Sequence, residues 1–131
     1  LSQLSCLNKM KTTLLTLILL VSIVFTSCKK ETENKLVKYY STHRISLSKS
    51  ELYVCKTGFS GDEEVGIVTI QGKNYVLSEV LRDDLFEIVY QYQPKPGFVG
   101  KDTVQVVIES GWNGVSGYDK NYYHNFYFEI E

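Results

Sequence analysis

The sequence predicts an all-β fold, an antiparallel two-sheet β-sandwich of about seven strands. Three features carry that expectation. From Leu36 onward Tyr, Val, Ile, Phe and Thr dominate, the residue types that fit a pleated, half-buried surface. Apolar and polar residues alternate with a period of two in several runs, and turn formers recur about every eight to fifteen positions, as in an all-β domain. No window sustains an apolar 3.6-residue repeat, and only residues 78–84 could close one helical turn.

Taken in order, residues 44–48, 51–56, 65–70 and 74–78 read as the first four strands, with Tyr39-Tyr40 as a start for the first. In 85–93, Phe86, Ile88, Tyr90 and Tyr92 share a face opposite Glu87, Gln91 and Gln93. In 102–109, Val104, Val106 and Ile108 point one way, Thr103, Gln105 and Glu109 the other. In 122–131, Phe126, Phe128 and Ile130 face the core, while Asn125, Tyr127, Glu129 and Glu131 face solvent. Between the strands, Gly58-Phe59-Ser60-Gly61-Asp62 tolerates positive φ, and Gln71-Gly72-Lys73 reads as a tight hairpin. Pro94-Lys95-Pro96-Gly97 cannot continue a central strand, because proline lacks a ladder donor. Residues 110–121 read as the longest loop, with glycines at 111, 114 and 117.

Residues 10–28 are a different kind of segment. A basic start, Met10-Lys11, precedes an apolar run over 14–25 and then small residues and a cysteine, the layout of a secretory signal peptide. The run is well short of the about 20 residues that cross a bilayer. Met10 reads as the natural start, which makes 1–9 an upstream extension. Phe25-Thr26-Ser27-Cys28 resembles the lipobox of bacterial lipoproteins, with Phe25 in place of the usual aliphatic residue. The resemblance implies cleavage before Cys28 and a diacylglyceryl group on its sulfur. Each buried methylene of such a tether contributes about 0.8 kcal/mol. The chain then divides into 1–27, extension and signal peptide; 28–35, an apolar-free leash anchored to the membrane; and 36–131, one domain of about a hundred residues. Lys29-Lys30 followed by acidic residues resembles the surface-export signals of Bacteroidetes lipoproteins, and a plain charged linker accounts for it equally well. The expected location is the cell envelope, lipid-anchored at the outer membrane, with exposure on the cell surface among the options.

Composition excludes several functions. Fourteen Lys and Arg against fifteen Asp and Glu give a net charge of −1, so nucleic acid finds no electrostatic footprint. Of the three cysteines, Cys6 precedes the start and Cys28 is acylated, which leaves Cys55 without a disulfide partner. Cys55 reads as a packed or edge-strand thiol rather than a nucleophile. His43 and His124 are the only histidines, and no Cys or His pair has ligand spacing, so neither a metal nor another cofactor is expected. Asp62-Glu63-Glu64 and Asp83-Asp84 read as solvated turns, since acid–base catalysis needs carboxylates set across a cleft. Without a nucleophile elbow or a phosphate-cradling loop, the chain reads as a non-enzyme.

At Tyr92, Pro94, Gly97, Phe98, Gly100 and Asp102 the chain resembles the Y-x-P-x-x-G-F-x-G-x-D signature of bacterial immunoglobulin-like and cadherin-like repeats. The resemblance implies an immunoglobulin-like sandwich and says little about activity. Phe98 would plug the core end of the turn, with Gly97 and Gly100 letting the backbone bend beside it. Asp102 is suited to accept hydrogen bonds from loop N–H groups; its alternative role is a calcium ligand, of which Leu81-Arg82-Asp83-Asp84 is a partial echo.

The remaining candidates are aromatic. Trp112 and Tyr118 fall in the glycine-bearing loop, and Tyr123 and Tyr127 on the strand face opposite Phe126 and Phe128. Exposed Tyr and Trp offer large rigid contact area at modest entropic cost. They point to a non-catalytic module that binds a protein or a glycan, or joins an envelope assembly. The alternative is a protease inhibitor or periplasmic accessory protein acting through 110–121. A duller role for Trp112 is a plug folded back on its own loop.

Overall fold

The computed structural model describes residues 35–112, 114 and 117–131. The signal segment, Cys28 and the leash up to residue 34 lie outside the described residues. Among these residues seven strands form: β1 (Val37–Leu47), β2 (Tyr53–Lys56), β3 (Val65–Ile70), β4 (Tyr75–Arg82), β5 (Ile88–Pro94), β6 (Gly100–Trp112) and β7 (Tyr118–Ile130). They make two sheets, one of four strands in the order β1-β7-β6-β3 and one of three in the order β2-β5-β4. The expected all-β sandwich is what forms, with no helix among the described residues.

Alternation builds the core as expected. Val104, Val106 and Ile108 of β6 and Phe126, Phe128 and Ile130 of β7 are buried against Ile88, Tyr90 and Tyr92 of β5. Rings cross the gap between sheets: Tyr92 stacks on Phe128 at 4.0 Å, and Tyr90 on Phe126 at 4.8 Å. Such pairs add about 0.5–1.5 kcal/mol beyond area burial.

Asp102 is the polar centre of this core. Only 6 % exposed, it accepts the backbone N–H of Lys73 and of Asn74 at 2.9 Å and the Tyr92 hydroxyl at 3.0 Å. Burial alone would raise its carboxyl, but these donors and the Thr103 amide outweigh burial and hold it below the usual carboxylate range. With its oxygens so occupied, Asp102 serves as the loop acceptor rather than a calcium ligand. A Cβ on Gly72 would stand 2.7 Å from an Asp102 oxygen, so only glycine lets the loop close on the carboxylate. Phe98 packs against the core only half-buried, less than a full plug, and Gly97 (φ 79°) and Gly100 (φ 139°) supply the bend.

Several expectations need correction. The sheets are not wholly antiparallel: β1 runs parallel to β7, Val37 opposite Lys120 through Leu47 opposite Ile130. Gln71-Gly72-Lys73 is not a hairpin but a crossing between sheets, since β3 and β4 belong to different ones. Residues 78–84 form no helical turn, because β4 continues to Arg82. Phe86 does not join the inward face of β5. It sits at φ 61° in a turn, 64 % exposed, where the Asp83 carboxylate accepts the amides of Leu85 and Glu87 and closes the bend. Pro94 ends a central strand, buried and opposite Tyr75, a position where its missing donor is tolerated.

Candidate recognition surfaces

The two long strands β6 and β7 pair along almost their whole length, from Gly100 opposite Ile130 to Trp112 opposite Tyr118. Most of the expected 110–121 loop is therefore strand. Cross-strand aromatic pairing outweighs the glycine signal: Trp112 meets Tyr118 edge-on, centroids 5.3 Å apart at 63°. Gly111 holds φ 78° inside the strand, and a Cβ there would run into the Asp119 carboxylate. Trp112 is 48 % exposed, so it is no core plug.

The four aromatic candidates do not converge. Trp112 and Tyr118 stand at the tip of the β6–β7 pair. Tyr123 and Tyr127 lie on the outer face of the four-stranded sheet, and nine residues of strand put Tyr127 about 30 Å from Tyr118. On that face Tyr123 stacks on Tyr40 of β1 at 4.8 Å, with the Lys38 ammonium 6.0 Å from its ring centre. Tyr127 carries the Arg44 guanidinium at 5.5 Å, a cation–π geometry. Around Tyr127 a shallow cavity of about 240 Å³ is lined by Arg44, Ser46, Lys101, Thr103 and Glu129. Between the two tyrosines, Asn125 accepts from the Gln105 amide and donates to the Ser41 carbonyl, which fixes these polar side chains on the strand surface. Tyr40, absent from the sequence candidates for this face, meets Tyr123 there through the parallel β1–β7 pairing.

The same pairing assembles a group that separate reading of the two histidines missed. Ser41, His43 and His124 meet on the inner face. His43 Nε2 lies 3.2 Å from His124 Nδ1, and the Ser41 hydroxyl is 3.2 and 3.0 Å from those nitrogens. The ring centres are 5.5 Å apart, so the facing nitrogens sit on the line between them, as in an N–H···N hydrogen bond. Two metal-bound imidazoles would instead converge at an angle. Burial, then the neighbouring His43, pushes the His124 pKa down. His43 also stacks on Phe126 at 4.7 Å, and the group reads as part of the packed interior.

Cys55 sits half-buried on β2, an edge strand, and burial pushes its thiol up, away from the reactive thiolate range. Asp83, one of the paired carboxylates, is tied to Lys56 at 3.2 Å as well as to its turn.

No protein-family description matches the chain, and no curated protein does. Among solved structures, a cysteine protease inhibitor from Entamoeba histolytica aligns over 73 % of this chain and 97 % of its own, at 12 % identity and a TM-score of 0.41. That similarity is too distant to transfer a function.

Proposed function

We propose that this chain is a non-catalytic lipoprotein of the bacterial cell envelope, acylated at Cys28, whose sandwich recognises a glycan through the outer face of its four-stranded sheet. The observation that carries the recognition half is the Tyr127 cavity. It sets an exposed ring among Arg44, Ser46, Lys101, Thr103 and Glu129, a stacking platform beside hydroxyl, guanidinium and carboxylate groups that match the apolar face and hydroxyl edge of a sugar. Tyr123 and Tyr40 extend the platform along the strands. None of these side chains serves the core. The anchor half rests on the sequence at 10–28. It accords with a domain that needs no disulfide, Cys55 being the sole unacylated cysteine after processing. The inward, stacked setting of Ser41, His43 and His124 supports the non-catalytic reading.

A glycan array probed with the wild-type protein and with Tyr127→Ala tests the recognition half. Binding by the wild type and loss of at least about 1 kcal/mol in the variant, the size of an interface anchor, are expected. Capture of an envelope protein that survives Tyr127→Ala, or inhibition in a protease panel, would replace this reading. Mass spectrometry of the membrane fraction tests the anchor: the expected peptide begins at an acylated Cys28, and an unmodified one would refute it.

A further inference from the structure

We propose that the β6–β7 tip is a lipid-contacting edge: Trp112 and Tyr118, with Val37, Tyr39, Lys38 and Lys120 beside them, settle on the surface of the bilayer that holds Cys28. The nearness of that bilayer rests on the lipoprotein reading above; the chemistry of the tip does not.

Chain connectivity fixes which end of the sandwich is tethered. β1 begins at Val37, opposite Lys120, at the same end as Trp112 and Tyr118. From Cys28 to Val37 the chain is nine residues of backbone long, at most about 30 Å when fully extended. The β6–β7 pair continues two residues past the start of β1, about 7 Å, and past the start of β3, where Val65 faces Glu109. Trp112 and Tyr118 are therefore the strand residues of the four-stranded sheet that reach furthest at the tethered end. The opposite end, at Gly100 and Ile130, is about 40 Å of strand further away.

The side chains at that end have the composition of a membrane–water boundary. Trp and Tyr combine an apolar body with a polar tip and collect where one end is dry and the other wet. Trp112 is 48 % exposed, Tyr39 46 % and Val37 42 %, and exposed Leu36 continues the apolar patch. Lys35, Lys38 and Lys120 are exposed beside them, placed to meet anionic headgroups. The charges also set a tilt. The acidic turn Asp62-Glu63-Glu64 lies on the β3 side, where Glu64 reaches Ser110 at 3.4 Å. An anionic surface would draw the β1 side down and hold the β3 side off, which leaves the Tyr127 cavity, near the far end, open to ligand.

Trp112 is the only tryptophan, so fluorescence reads the tip directly. The processed, acylated protein is placed in vesicles of phosphatidylethanolamine and phosphatidylglycerol, one set with brominated acyl chains. Bromolipid should quench Trp112 while aqueous iodide does not, and Lys38→Glu with Lys120→Glu should lower the docked-to-lifted ratio at least about fivefold per lysine. Vesicles without phosphatidylglycerol should show the same loss with the wild type. Trp112 open to iodide and untouched by bromolipid, on protein whose Cys28 is acylated by mass, would overturn the proposal and leave the lipoprotein reading standing. An unacylated Cys28 would end the lipoprotein reading, and quenching by added bromolipid vesicles would still decide for or against the tip.

Discussion

Replacing Asp102 with alanine should be among the most damaging single changes in the domain, and its size follows from the donors it serves. The carboxylate is 6 % exposed and accepts two loop amides, those of Lys73 and Asn74, and the hydroxyl of buried Tyr92. A buried donor left without an acceptor costs about 1–3 kcal/mol. Three such donors, partly relieved by loop movement, give a loss of about 3–5 kcal/mol, a large share of the about 5–15 kcal/mol that holds a domain together. Urea unfolding of residues 35–131, followed by circular dichroism, reads this directly. At an m-value of about 1.5 kcal/mol/M the midpoint should fall by about 2 M or more, with the slope unchanged. Asp102→Asn keeps the shape and one acceptor oxygen but turns an NH₂ toward N–H donors, so its midpoint should fall between the two. Acid probes the same site. The folded carboxyl is held below its unfolded range, so its contribution is present above about pH 4 and is lost as pH falls through the lower folded value. A midpoint within about 0.3 M of wild type for Asp102→Ala would refute the assignment, because it would mean water already satisfies those donors.

Two further outcomes concern packing and the histidine pair. Gly66→Val should destabilise by about 1–3 kcal/mol by overpacking, since a Cβ at Gly66 would stand 2.6 Å from Val80 and 2.8 Å from Ile88; an unchanged thermal midpoint would show that the sheets part without cost. Because the folded His124 pKa is lowered, its neutral form favours folding: stability should be full above about pH 6.5 and decline as pH falls below it. His124→Gln should flatten that limb of the urea midpoint against pH, and an identical decline in the variant would assign the effect elsewhere.

The inward pattern of β5, β6 and β7 was legible because each strand states it locally. Val104, Val106 and Ile108, then Phe126, Phe128 and Ile130, show a period of two that needs no knowledge of a partner. Asp102 was marked as an acceptor by the turn residues that precede it, although β6 already begins at Gly100. What failed depended on partners. Glycines at 111, 114 and 117 argue for a loop only until Trp112 and Tyr118 are seen opposite each other, because paired rings stabilise a strand end that the local sequence disfavours. Gln71-Gly72-Lys73 has hairpin chemistry, but the flanking strands pair with β6 and β5 rather than with each other. Phe86 follows the alternation of its neighbours and leaves it only because Asp83 draws the amides of Leu85 and Glu87 into a turn.

The parallel pairing of β1 with β7 is the feature with the widest consequences, and nothing local announces it. Strands whose paired residues are 83 apart in sequence can meet in either direction, and antiparallel pairs outnumber parallel ones roughly two- to three-fold. Direction decides what meets. In parallel register Tyr40 falls opposite Tyr123, Arg44 opposite Tyr127 and His43 opposite Phe126, one step from His124. Run β1 the other way, and Val37 would face the far end of β7, with Tyr40 and Arg44 exchanging neighbours. The cation would then stand by Tyr123 and Tyr40 by Tyr127, with His43 directly opposite His124, so direction sets the order of these groups along the strands. Direction also decides where the leash enters. A parallel β1 brings the chain in at the end where Trp112 stands, and an antiparallel one would bring it in beside Gly100. One pairing choice therefore sets the order of the groups along the outer face and places the start of β1 at the end where Trp112 and Tyr118 stand.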